Sequence, residues 1–183
     1  MAIWIAGALV LGLALLVVLA YNGLVAKRNR TQNAWSQVDV QLRRRYDLVP
    51  RLVETVRGYA THEQATFTAV TEARAAAERA SGAAEQGAAE GRLAGALERL
   101  VAVAEAYPEL RASGNFQALQ EELTQTENKI AISRQVFNDT VLTYNNAVQQ
   151  VPTNAVARLF GFRAAEYFEV EAGAEREPVP VTP

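Results

Sequence analysis

The chain has 183 residues, half of them hydrophobic, with a formal net charge of -2, no cysteine and one histidine, His62. That composition excludes disulfides, thiolate zinc sites and cysteine nucleophiles, and leaves little room for a histidine-based metal site or catalytic relay. The slight acidity argues against nucleic acid as the main partner, and the length allows one modest domain plus an appendage.

Residues 1–26 carry no charged side chain. The stretch from 2 to 21 is mostly Ala, Ile, Leu, Val and Gly, and as a helix it spans about 30 Å, the thickness of a bilayer's hydrocarbon core. Trp4 and Tyr21 stand near its two ends, where amphipathic rings favour the headgroup region. A cleaved signal peptide fits poorly. The basic leader region is missing, the apolar run is too long, and no clear small-x-small cleavage site follows. A retained anchor over 1–26 is the expectation. Lys27, Arg28 and Arg30 follow directly and form a basic collar, with no acid before Asp39. The positive-inside rule then puts the N-terminus outside and the rest in the cytoplasm. The same cations attract anionic lipid headgroups. Ala8 and Gly12 make a small-xxx-small pair through which two anchors could approach.

From Leu24 onward, Thr31, Trp35, Val38, Leu42, Tyr46, Val49 and Val56 step mostly by three and four, so the anchor is expected to continue as a helix with a near-heptad face. Pro50 predicts a kink or short break near 47–50, with Asp47 placed to cap a restart. The pattern resumes through Phe67, Val70 and Ala73. Residues 75–91, rich in Ala, Glu and Gly, read as the tip of a helical hairpin. Leu93, Leu97, Leu100 and Val101 define the next helix, ending at Tyr107-Pro108. The clearest helix is expected over 115–150, with Asn115 as its N-cap and an apolar face from Phe116 to Val148. After Pro152, Thr153 or Asn154 should cap a short helix through about Phe160. No stretch alternates with period two. The fold class is therefore all-α: one N-terminal transmembrane helix followed by an antiparallel bundle of long helices. The bundle domain is assigned to 27–170, and the proline-bearing 171–183 to a flexible tail.

Motifs for chemistry are sparse. His62-Glu63 would need a second histidine one turn on for a zinc site, and position 66 is threonine, so His62 reads as a polar helix-surface or capping residue. Arg43, Arg44 and Arg45 point three ways on a helix, and the acids Glu121, Glu122 and Glu127 are candidate partners. Nine bases and five acids fall in 27–74, against nine bases and fifteen acids in 75–183, which suits packing of a basic helix on an acidic one, or self-association. Asn128, Asn138, Asn145 and Asn146 on the long helix could set register through cross-seam hydrogen bonds. Phe160, Phe162, Tyr167 and Phe168 either cap the bundle's end or form a patch of docking aromatics. No phosphate loop, nucleophile elbow or dinucleotide fingerprint is present, and no catalytic, cofactor-binding or metal-ligating residue is assigned.

Several motifs together resemble the LemA family: YNGLVAKRNRTQNAWSQVDVQLRRRYDLVPRLVETVRGYATHE at 21–63, Tyr107-Pro108-Glu109-Leu110, TENKIAISRQVFNDTVLTYNN at 126–146 and FGFRAAEYF at 160–168. Val151-Pro152 stands where the family usually has Phe-Pro, and the 75–91 tip is looser than typical. The resemblance implies a bacterial inner-membrane protein with one N-terminal span and a cytoplasmic helical domain. It implies no enzymatic activity and no cofactor. Family genes often neighbour those of membrane proteases and envelope-stress proteins, which are therefore implied partners beside lipid and further copies of the chain. The expected function is a non-enzymatic, membrane-anchored scaffold or adaptor of the bacterial envelope that works through protein contacts and self-association. The alternatives are a polymerising pilin-like subunit, disfavoured by the missing basic leader and early acid, and a lipid- or ligand-binding envelope-stress sensor that uses the basic collar.

Overall fold

The computed structural model describes residues 1–170; the proline-bearing tail expected at 171–183 lies outside the described residues. Six helices follow in order: α1 (Ala2–Arg57), α2 (Gln64–Arg79), α3 (Ala83–Glu105), α4 (Pro108–Arg111), α5 (Gly114–Gln149) and α6 (Thr153–Leu159). Among the described residues there is no strand. The fold is all-α, with one long apolar N-terminal helix followed by further helices. Two compact units share the chain: Met1–Asp39 with Ile132–Tyr167, and Val40–Ala131 with the segment that starts at Phe168.

In the first unit α1 and α5 run antiparallel. The Thr31 hydroxyl donates to the Thr140 carbonyl at 3.4 Å, and one turn on, the rings of Trp35 and Phe137 lie 5.1 Å apart. Toward the apolar end, Leu24 packs in a cluster with Tyr144, Ala147, Val156, Ala157 and Phe162. Within α1 lies a window long and apolar enough to cross a membrane, and none of it is buried. A helix satisfies all its backbone groups internally, so this exposed segment is compatible with hydrocarbon around it. Thr153 does not cap α6. Its hydroxyl turns back and donates to the carbonyls of Ala147 and Gln150, which closes the C-terminal end of α5.

The second unit packs the later part of α1, α2, α3, α4 and the early part of α5 around Leu42, Val49, Val56, Phe67, Leu93 and Leu100, all nearly inaccessible. Here the helices depart from the sequence reading at four places. The break expected near 47–50 is absent, and α1 continues through Pro50 to Arg57. Proline removes the N–H that would bond the carbonyl four residues back, that of Tyr46, but Arg74 Nε donates to that carbonyl at 2.8 Å. The hairpin tip is shorter than 75–91. Only Ala80, Ser81 and Gly82 lie outside helix, Gly82 at a φ of 81° that favours glycine, and the alanine-rich residues after them are already α3. Asn115 lies inside α5, which opens at Gly114, and its amide donates to the Thr55 hydroxyl at 3.3 Å. His62 sits exposed in the turn between α1 and α2, not on a helix surface.

Candidate functional site

In the first unit the charged part of α1 begins at Lys27. Helical geometry puts Lys27 and Arg30, three residues apart, on one side of α1 and turns Arg28 to another. Arg28 stacks its guanidinium over the Phe162 ring at 5.4 Å. Phe162 in turn meets Tyr21 edge-on at 5.6 Å, and Phe160 meets the same ring at 4.9 Å. Lys27 and Arg30 look into a groove of about 230 Å³ beside Val136, Asp139, Thr140 and Thr143 of α5. Its lining sets two cations beside one carboxylate, Asp139, with Val136 as its apolar member, and the Thr140 and Thr143 hydroxyls donate to the Phe137 and Asp139 carbonyls of their own helix.

The loop after α6 is pinned by two side chains of α5. Asn145 Nδ2 donates to the Ala165 carbonyl at 2.9 Å, and the Ala165 N–H donates to Asn145 Oδ1 at 2.8 Å, so one amide pairs with a peptide unit as a neighbouring strand would. The Tyr144 hydroxyl donates to the Arg163 carbonyl at 2.9 Å. Burial pushes the Tyr144 phenol above its usual pKa, because the phenolate would be poorly hydrated there, and nearby Arg28 pulls the other way. Of the four asparagines singled out on this helix, Asn145 is buried, and Asn128 and Asn146 face solvent. The four aromatics divide. Phe162 is buried in the first unit and Phe168 in the second, Tyr167 is half-buried, and Phe160 remains 50% exposed. Phe162 and Phe168 thus serve packing within the chain, and Phe160 is the ring left with a large free surface.

The second unit holds a buried polar cluster. Arg45, only 2% exposed, directs Nη1 to both carboxylate oxygens of Glu127 at 2.6 and 2.8 Å and Nη2 to Glu90. Glu90 also accepts from the Tyr46 hydroxyl and from Gln86 Nε2, the latter at 2.8 Å. Gln86 completes the ring by donating to the Tyr46 oxygen at 2.8 Å and the Ala77 carbonyl at 3.0 Å. Arg44 takes the exposed acid Glu122 at 2.9 Å. Of the three expected acidic partners, Glu122 and Glu127 are engaged by the arginine run. Glu121 instead accepts from its α5 neighbour Gln125. Sequence reasoning missed Glu90. The available signal was its setting among Ala88, Ala89 and Gly91, small residues that let helices approach closely enough to bury an ion pair.

This cluster ties α1 to α3 and α5. Among the described residues no three His, Cys, Asp or Glu side chains converge to hold a metal. A separate groove of about 380 Å³ runs between α3 and α5, with Leu97, Val101 and Leu123 on its floor and Glu98, Glu105 and Glu127 on its rim.

Comparison with known proteins gives a consistent picture. The family model described as the LemA family matches residues 34–182. The magnetosome proteins MamQ 2 and MamQ 1 of Paramagnetospirillum magneticum are each 27% identical over 193 residues, covering 91% of this chain and 70% of theirs. The magnetosome protein MamQ of Magnetospirillum gryphiswaldense is 26% identical over the same coverage.

Proposed function

On the premise that this chain belongs to the LemA family, we propose that it is a membrane-anchored helical scaffold that works through protein contacts and self-association. The chain is a membrane-associated helical protein. The scaffold role rests on one observation above the others. The apolar run and the residues that pack the first unit, Leu24, Thr31, Trp35 and Val38, belong to the same unbroken α1. A helix continuous from lipid into a folded domain transmits position directly and leaves no flexible linker between tether and domain.

The basic collar supports an orientation with the N-terminus outside and the helical part on the cytoplasmic face of the bacterial inner membrane. The groove between α3 and α5, apolar with an acidic rim, supports contact with a partner helix that carries basic residues. A membrane protease or an envelope-stress protein is the proposed class of partner. The MamQ relatives are magnetosome proteins by name; what this chain is proposed to share with them is the tethered helical domain, not that setting. The reading is non-enzymatic.

Crosslinking of the full chain in native membranes tests it. Higher bands that contain a second copy or a discrete partner are expected. Recovery of monomer alone, across several crosslinker lengths, would reject the scaffold. Reporters fused at each end test the orientation, with the domain-side fusion expected to report cytoplasm.

A further inference from the structure

The register of the first unit places α6 at a particular depth. Thr31 of α1 meets Thr140 of α5 across the antiparallel pair. Nine residues further along α5 is Gln149, its last residue, and nine residues back along α1 is Asn22. Both steps are about 13 Å, so α5 ends level with the edge of the apolar run. The chain then doubles back through α6. Val156 and Ala157 of that helix pack with Leu24, and Val17 and Ala20 of the apolar run pack against the same cluster. The short helix therefore lies beside the last turns of the apolar segment.

Three large apolar residues of α6 and its flanking turns face outward beside the exposed Arg158. Val151 is 83% exposed, Leu159 75% and Phe160 50%. Phe160 sets its ring edge on Tyr21, the aromatic at the boundary of the run. The uncharged run over 1–26 is also longer than a bilayer core needs. As a helix it measures about 37 Å from residue 2, against about 30 Å of hydrocarbon, and Tyr21 with the cations from Lys27 onward marks its last turns as the interfacial ones. Those are the turns that α6 covers.

We propose that α6 and its flanking turns are a second membrane contact, with Val151, Leu159 and Phe160 seated at the boundary of acyl chains and headgroups. The inference rests on the reading of α1 as a membrane span. The bilayer is the occupant because the patch is continuous with the exposed apolar face of α1 and shares its aromatic boundary through Tyr21 and Phe160. Arg158, exposed next to Leu159, stands where a cation meets phosphates.

The chain has no cysteine, so single-cysteine variants report one site each. The full chain, as Leu159→Cys or Val151→Cys carrying a nitroxide, is reconstituted into phosphatidylcholine–phosphatidylglycerol vesicles. Collision with oxygen is compared with collision with a water-soluble nickel chelate. Leu13→Cys in the apolar run and Asn128→Cys, exposed on α5, are the lipid and water references. The expected oxygen-to-nickel ratio at 159 and 151 is several-fold above that at 128 and below that at 13. A ratio equal to that at 128, with Leu13 still lipid-like, would overturn the contact and leave the span intact. An aqueous Leu13 would overturn both. Spin–spin broadening at 159 that disappears on dilution with unlabelled chain would show a second copy on the patch, and would equally overturn the proposal.

Discussion

Arg74 completes the helix that Pro50 interrupts: its Nε donates at 2.8 Å to the Tyr46 carbonyl, the acceptor that a residue with an N–H at position 50 would have used. The guanidinium is free to do this because its other end is held by Glu78, one turn along α2, at 2.8 Å. An unmade bond at a buried carbonyl costs about 1–3 kcal/mol. Arg74→Ala is expected to lower stability by about that amount. In a Pro50→Ala background the new N–H takes over the carbonyl, so Arg74→Ala should cost about 1 kcal/mol less. Urea unfolding of the four proteins in detergent micelles measures the coupling, and additive effects would show that Arg74 does not stand in for the missing donor.

The Arg45–Glu90 pair gives a second cycle. Glu90→Leu leaves a guanidinium that is 2% exposed with Glu127 as its remaining acid, and is expected to cost about 3–5 kcal/mol. Adding Arg45→Met should recover much of that loss, because Gln86 and Tyr46 still bond each other and no charge stays buried. Thermal unfolding compares the single and double variants. A double variant as unstable as the sum of the two singles would contradict the pairing.

Two glycines of α3 should respond in opposite directions. A Cβ at Gly87 would overlap the Glu169 carbonyl and lie 2.7 Å from its carbon, whereas a Cβ at Gly95 meets nothing within 4 Å. Gly95→Ala is expected to stabilise by about 0.5–1 kcal/mol through helix propensity. Gly87→Ala makes the same local gain but must displace the backbone beside Phe168, which is 1% exposed. Losing that burial costs about 2–3 kcal/mol, so the net effect is destabilising. Proteolysis near 168, faster in Gly87→Ala than in Gly95→Ala, is the direct readout.

Tyr144 predicts a loss of stability at alkaline pH. Its pKa is raised in the folded chain, so folding is favoured in full below the unfolded value near 10 and that contribution is lost as pH rises through the folded value. The phenolate also cannot donate to the Arg163 carbonyl. Tyr144→Phe should be less stable at neutral pH by about 1 kcal/mol, yet lose less on going above pH 10. The difference between the two proteins isolates this group from the other tyrosines and lysines. An identical alkaline decline in both would remove Tyr144 as its source.

The helices were legible because their signal is local. Leu24, Val38, Leu42, Val56, Leu93, Leu100, Phe137 and Tyr144 fall on the expected faces and are buried. Periodicity carries that information without reference to partners. The failures share a cause. The break at Pro50, the long tip at 75–91 and the cap at Asn115 were each inferred from what a residue does alone. Arg74, the length of α3 and Thr55 supply what those residues meet.

The sequence by itself determined the apolar run, the helical class and the stripe that faces inward, because length, hydrophobicity and period are properties of consecutive residues. Only the tertiary structure decided that α1 survives its proline, that Arg45 meets Glu90 and that Phe160 stays outside while Phe162 and Phe168 go in. The partners that settle those questions stand far off in the chain, Arg74 28 positions from Tyr46 and Glu127 82 from Arg45. No local pattern encodes which distant side chain arrives to satisfy a buried donor, acceptor or charge; packing does.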